Sequence, residues 1–168
     1  DLVHAPGLSR EAVESVGKLA YAGAPMLAPL TEACVKAFSP QVFVNHHGST
    51  ETNTFSIRPD VHLKPGCAGR AGLHSGLRVV TASTERRVRP DEIVAPGERG
   101  ETSPSLPGDE PFAGYWRRPD ADARALREGW YFTGDMGWVD VDGDLWVAGR
   151  VDDMVISGGE NIHPRGIE

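Results

Sequence analysis

The sequence predicts an α/β chain in which the edge of a parallel sheet is followed by a small β subdomain. Three observations predict it. Two helix-then-strand units open the chain, short apolar pieces broken by Gly and Pro fill the middle, and an acidic hairpin lies near the end. With 20 Gly and 13 Pro in 168 residues, turns are frequent and long helices few.

Ser9 is placed to cap a helix through Glu11, Ala12, Val13 and Val16, with Gly17 near its end and Leu19 to Ala22 as the following strand. Leu30, Ala33, Cys34, Ala37 and Phe38 repeat at helical spacing until Pro40 stops them, and Gln41 to Asn45 reads as the second strand. Two such units in succession predict parallel pairing. Beyond Asn53 the pieces Phe55 to Ile57, Leu77 to Val80 and Glu92 to Val94 predict the β subdomain, and the Pro- and Ser-rich stretch Gly100 to Asp109 reads as a flexible loop. Met136 to Val141 and Asp144 to Ala148 flank Asp142-Gly143, which predicts a hairpin with a type I′ turn.

A net charge of −7 argues against nonspecific nucleic-acid binding, and Arg86-Arg87 and Arg117-Arg118 are too short to act as basic tails. No segment approaches the roughly 18 to 20 apolar residues of a membrane span. Cys34 and Cys67 form no CxxC pair, which fits a reducing cytosol and a cytoplasmic location. Asp140, Asp142 and Asp144 do not make an EF-hand, because Gly143 precedes the third carboxylate. His46-His47 lacks the further spaced ligands zinc needs.

Three separated segments have the composition of a ligand site. Tyr21-Ala22-Gly23-Ala24-Pro25 follows a strand with residues small enough for a flat ligand to approach the backbone. Asn45-His46-His47-Gly48-Ser49-Thr50-Glu51-Thr52 follows the next strand. The stretch Trp130 to Glu168 holds Thr133-Gly134-Asp135, then Gly149-Arg150-Val151-Asp152-Asp153, then Gly158-Gly159-Glu160-Asn161-Ile162-His163-Pro164.

These motifs, in this order, resemble those of the adenylate-forming enzymes: the acyl-CoA synthetases, aryl-CoA ligases and adenylation domains. Gly114-Tyr115-Trp116 followed by Pro119 adds a fourth likeness, read as an aromatic plug between lobes. The resemblance implies that residues 1–151 are the C-terminal portion of the large AMP-binding domain. Residues 152–168 would then be a hinge at Asp152 and the start of a small mobile domain. It further implies that Gly23, Ala24 and Pro25 lie against adenine and that His47 stands where an aromatic residue is usual, beside Gly48. Thr50 is implied to bind the nucleotide phosphate, and Glu51 to bind Mg2+, which prefers hard oxygen ligands.

By the same resemblance Asp135 accepts hydrogen bonds from both ribose hydroxyls, and Arg150 contacts ribose or phosphate through its planar donor fork. Gly158 and Gly159 would approach the pantetheine of CoA. The backbone of Ala22 to Ala24 and Asn45 to Gly48 would line part of the acyl pocket. Gly166 departs from the family, which usually has Glu there.

The expected reaction joins a small carboxylic acid to CoA through an acyl-adenylate, with ATP consumed and AMP released. The final loop most resembles that of acyl- and aryl-CoA ligases, including the halobenzoate ligases. Transfer to a carrier protein and a noncatalytic nucleotide-binding module are the alternatives, and a homodimer is compatible with each. The phosphate-binding Ser/Thr/Gly-rich loop would precede Asp1 and the adenylation lysine would follow Glu168. The chain therefore reads as a fragment, and one expected to be inactive alone.

Overall fold

The computed structural model describes residue 3 and residues 5–73, 75–152, 155–157 and 160–162. Helix α1 (Arg10–Val13) starts where Ser9 Oγ accepts the Ala12 N–H at 3.3 Å. Strand β1 (Lys18–Ala22), helix α2 (Ala28–Phe38) and strand β2 (Val42–His47) follow. Helix α2 ends on Ser39 in the left-handed region, its N–H donating to the Val35 carbonyl, and Pro40 prevents another turn. The α2 crossover lets β1 and β2 pair parallel, with Leu19 opposite Phe43 and Tyr21 opposite Asn45. Val13, Cys34, Phe38, Phe43 and Val61 form the core beneath them.

Strands β3 (Ser56–Arg58) and β4 (Arg70–Ala71) extend this sheet antiparallel, in the order β1-β2-β3-β4. Phe55 to Ile57 is therefore no part of the β subdomain. The loop after β2 turns directly back, with the Phe55 N–H donating to His47 O at 3.0 Å, so the next strand pairs with its neighbour in sequence.

The β subdomain is a second, antiparallel sheet. Its members are β5 (Leu77–Val80), β6 (Gly100–Pro104), and, after helix α3 (Pro119–Ala125) and the short hairpin β7 (Leu126–Arg127) and β8 (Trp130–Tyr131), strands β9 (Asp135–Val139) and β10 (Leu145–Arg150). Their order is β10-β9-β6-β5. The first half of the expected flexible loop is thus a buried interior strand. Its composition misleads because β5 and β9 supply backbone partners on both sides, the Thr102 hydroxyl pairs with that of Thr133 at 2.7 Å, and Pro104 falls at the last ladder position. Glu92 to Val94 contributes only a single bridge, Ile93 to Val80. Beyond Asp152, β11 (Val155–Ser157) and β12 (Glu160–Ile162) pair antiparallel.

The β9-β10 hairpin forms as predicted, but its turn is not type I′. Only Gly143 has positive φ, at 84°. The Gly143 N–H donates to Asp140 O and the Asp140 N–H to Asp144 O, the pattern of a type I turn closed by a glycine bulge. Asp140 Oδ1 accepts the N–H groups of Asp142 and Asp144, which favours this longer loop.

The same hairpin fastens the two sheets together. The Ala68 N–H donates to Leu145 O and the Leu145 N–H to Gly69 O. Asp144, with its side chain 2% exposed, receives Arg58 and Lys64 from the first lobe at 3.1 and 2.8 Å, and Arg70 at 3.1 Å. The Lys64 ammonium sits among Asp140, Asp142 and Asp144 at 2.6, 3.0 and 2.8 Å, where a metal cation would otherwise have to bind. Burial would raise the Asp144 carboxyl, but Lys64, Arg58 and Arg70 together hold it below its ordinary value.

Candidate functional site

Two adjoining clefts open where the sheets meet, and Asp135 and Arg150 line both. Asp135 begins β9 and Arg150 ends β10, directly opposite in the register. That pairing depends on a bulge between Val147 and Gly149, which inserts one residue and re-aims the end of β10. Arg150 Nη1 donates to Asp135 Oδ1 at 2.8 Å and to Thr133 O at 3.0 Å.

The Thr133-Gly134-Asp135 turn is held from behind by β6. Glu101 Oε1 accepts the Gly134 N–H at 2.9 Å, Thr133 Oγ1 donates to Thr102 O at 2.9 Å, and the Asp135 N–H donates back to Thr133 Oγ1. Gly134 has φ 74°, and a β-carbon there would lie 2.8 Å from Arg150 Nη2. Burial pushes the Glu101 carboxyl up, opposed by the Gly134 N–H and by the nearby Arg127 and Arg150.

The first cleft, of about 260 Å³, is lined by Gly23, Ala24 and Pro25 after β1, Asn45 to Gly48 at the end of β2, Gly66 and Ala68, and Val147 to Arg150. The small residues leave a flat slot facing the Asp135–Arg150 pair. His47 packs its ring edge-on against Phe55, with centroids 4.6 Å apart. Its buried Nε2 has no hydrogen-bond partner among the described residues, and burial lowers its proton affinity although the Asp135 charge opposes this.

The second cleft, of about 420 Å³, lies on the other side of the pair and includes Ser49, Glu51, Glu101, Tyr115, Tyr131 and Asp152. Glu51 is presented by a tight loop that only glycine can enter: a β-carbon on Gly48 would fall 1.8 Å from the Asn53 carbonyl oxygen. Tyr115 Oη donates to Glu51 Oε1 at 2.8 Å. Burial alone would raise the Glu51 carboxyl, but hydrogen bonds from Tyr115, Ser49 and its own backbone keep it ionised and below its ordinary value. An ionised, partly buried carboxylate on an open polar cleft fits the hard-ligand preference of Mg2+.

Of the sequence-predicted residues, Gly23, Ala24, Pro25, His47, Gly48, Glu51, Asp135, Arg150 and Asp152 gather on these clefts. Thr50 is exposed at the tip of its loop and lines neither. Gly158 and Gly159 lie outside the described residues. Trp116 is 84% exposed, so the aromatic plug is corrected to Phe112, Tyr115 and Tyr131, whose rings meet edge-on while Trp116 turns outward beside Arg117. Glu101 and Tyr131 were not singled out from the sequence. No sequence signal marks Glu101, because Gly100–Pro104 holds no large apolar residue and is buried at every position, leaving no alternation to read.

No family model matches the chain. It is 38% identical over 149 residues to a 2-succinylbenzoate–CoA ligase of Geobacillus kaustophilus, across 87% of this chain and 28% of that protein. It is 32% identical over 158 residues to a 4-chlorobenzoate–CoA ligase of Arthrobacter, across 94% and 29%. The chain thus spans under a third of the length of these curated relatives. Among solved structures, ATP-bound MatB from Rhodopseudomonas palustris superposes with a TM-score of 0.84 at 30% identity, over 99% of this chain and 32% of that one. O-succinylbenzoate coenzyme A synthetase (MenE) from Bacillus subtilis, in complex with ATP and magnesium ion, gives 0.76 at 27% identity, over 94% and 33%. By sequence and by fold together, the chain matches a segment of these acyl- and aryl-CoA ligases.

Proposed function

We propose that the protein of which this chain is part is an acid–thiol ligase: it forms an acyl-adenylate from a small carboxylic acid and ATP, then transfers the acyl group to CoA and releases AMP. The observation that carries this reading is the convergence of three distant segments, around Gly23, Glu51 and Asp135, on two clefts that share one carboxylate–guanidinium pair.

On this reading adenine enters the slot formed by Gly23, Ala24 and Pro25, with the His47 ring against it. Asp135 takes the ribose hydroxyls. Its geometry supports the role, because Arg150 engages Oδ1 from one side only and the side chain is partly open to the cleft. Arg150 then turns its remaining donors to ribose or α-phosphate oxygen, whereas the phosphate role the resemblance implies for Thr50 would need its loop to move, since Thr50 lines neither cleft. Glu51 would hold Mg2+, which when bound would supply neutralisation of the charge on the phosphate oxygens. The second cleft sets the carboxylates of Glu51, Glu101, Asp135 and Asp152 beside the guanidinium groups of Arg124, Arg127 and Arg150, a mixed lining that offers groups for both a cation and a polyphosphate.

Residues 1–151 act as part of the large nucleotide-binding domain and Asp152 as the hinge to the small one. Two facts support the hinge. Val151 is buried and its N–H donates to Gly134 O at 2.7 Å, whereas Asp152, one residue on, is exposed. A rotation there leaves the ribose site intact. Gly158 and Gly159 would approach the pantetheine of CoA after that rotation. A homodimer and a cytoplasmic location are compatible with this reading, and no helix among the described residues is long and apolar enough to cross a membrane.

The test is AMP release by the full-length protein with ATP, CoA and a panel of aliphatic and aromatic acids. The expected result is CoA-thioester formation with at least one acid. No thioester with any acid would end the proposal, and an acyl product found only on a carrier protein would redirect it.

A further inference from the structure

The Glu51 carboxylate is held in place by a second segment of chain. Residues 110 to 115 cross the Gly48 loop with three hydrogen bonds: Glu110 Oε1 accepts the Thr54 N–H at 2.7 Å, the Phe112 N–H donates to Glu51 O at 2.8 Å, and Tyr115 Oη donates to Glu51 Oε1 at 2.8 Å. Tyr115 is itself fixed from behind. Its ring meets Phe112 edge-on at 4.9 Å, and its N–H donates to Asp122 Oδ1 of α3 at 2.8 Å. Gly114 makes that approach possible: its φ is 134°, and a β-carbon there would stand 3.0 Å from Asp122 Oδ2.

We infer that Tyr115 is a positioning residue that commits one oxygen of Glu51, so that a divalent cation meets the carboxylate through the other oxygen, as a monodentate ligand of fixed orientation. Mg2+ demands near-octahedral geometry and keeps several waters, so a carboxylate free to rotate or chelate is a poorer ligand for it. Groups that orient a ligating carboxylate typically change metal affinity by about 10- to 100-fold when removed. The inference rests on the proposed role of Glu51 as the metal ligand.

The experiment uses the full-length protein and two variants, Tyr115→Phe, which keeps the ring packing, and Glu51→Gln. ATP binding is titrated against Mg2+ calorimetrically, and AMP binding without Mg2+ reports the integrity of the nucleoside site. The expected result for Tyr115→Phe is a rise of about 10- to 100-fold in the Mg2+ concentration at half-effect, with AMP affinity unchanged. Glu51→Gln should abolish the Mg2+ dependence. An unchanged Mg2+ requirement in Tyr115→Phe, while Glu51→Gln abolishes it, overturns the inference and leaves the metal site standing. Equal loss of AMP and Mg2+ response in Tyr115→Phe overturns it in favour of a purely structural tyrosine. A Glu51→Gln protein with normal Mg2+ dependence removes the metal site itself, and the inference with it.

Discussion

Replacing Asp135 by Ala separates binding from folding more cleanly than any other change in this molecule. Among the described residues the carboxylate has one side-chain partner, Arg150, and the two side chains are 19% and 52% exposed. Such an ion pair is screened by water and contributes about 0 to 1 kcal/mol, so the melting temperature should fall by no more than a few degrees. Nucleotide binding should suffer far more. Each hydrogen bond from a ribose hydroxyl to an ionised acceptor contributes about 1.5 kcal/mol or more, and two are lost together. A deficit of about 3 kcal/mol is roughly a hundredfold in affinity. Arg150 also loses the partner that orients it and keeps only Thr133 O. Calorimetric titration of the full-length protein with AMP, beside a thermal melt of each variant, checks both halves. An AMP affinity equal to that of the unmodified protein would refute the ribose assignment, and a collapse of the fold would refute the claim that the pair is peripheral to stability.

Asp144→Ala should behave in the opposite way, destabilising by about 3 to 5 kcal/mol because Arg58, Lys64 and Arg70 converge on a buried carboxylate; a urea midpoint close to the unmodified value would contradict this. Asp144 also sets a pH dependence. Its folded proton affinity is depressed below the ordinary 3.8, so its contribution is present above that pH and is lost as pH falls further; the acid limb should flatten in Asp144→Asn. Glu101 has the reverse sign, since burial raises it above 4.5 in the fold: stability it contributes below that pH is lost as pH rises, and Glu101→Gln should remove the slope, with parallel urea–pH profiles counting against it. Gly48→Ala drives a β-carbon into the Asn53 carbonyl and should cost about 1 to 3 kcal/mol of stability and misplace Glu51, read as a lowered melting temperature with weakened Mg2+-dependent ATP binding; a normal response in both would show that the loop can yield.

The αβαβ opening was legible because its signals are local: a capping Ser9, a helix-stopping Pro40 and apolar periodicities that change from helical to strand spacing. Most of the motif residues gather on the two clefts, but Thr50 lines neither and Trp116 turns outward, because a turn's composition does not fix where its loop tip points. Strand assignment failed where pairing partners are remote. Gly100–Pro104 resembles a loop in isolation and becomes an interior strand only because β5 and β9 flank it. Ser56–Arg58 joined the first sheet because the Gly48 loop reverses the chain onto β2.

The sequence by itself determined the local chemistry: which residues can cap, turn, ionise and ligate, and an order of motifs that resembles that of the CoA ligases. Tertiary structure alone decided how those groups are shared. It placed Lys64 among the acidic residues of the hairpin, so that they clasp two lobes, set Glu101 behind the Thr-Gly-Asp turn, and brought Tyr115 onto Glu51 from 64 residues away. Contacts between residues so far apart in the chain depend on the packing of whole sheets against each other, and no periodicity or spacing within either segment encodes them.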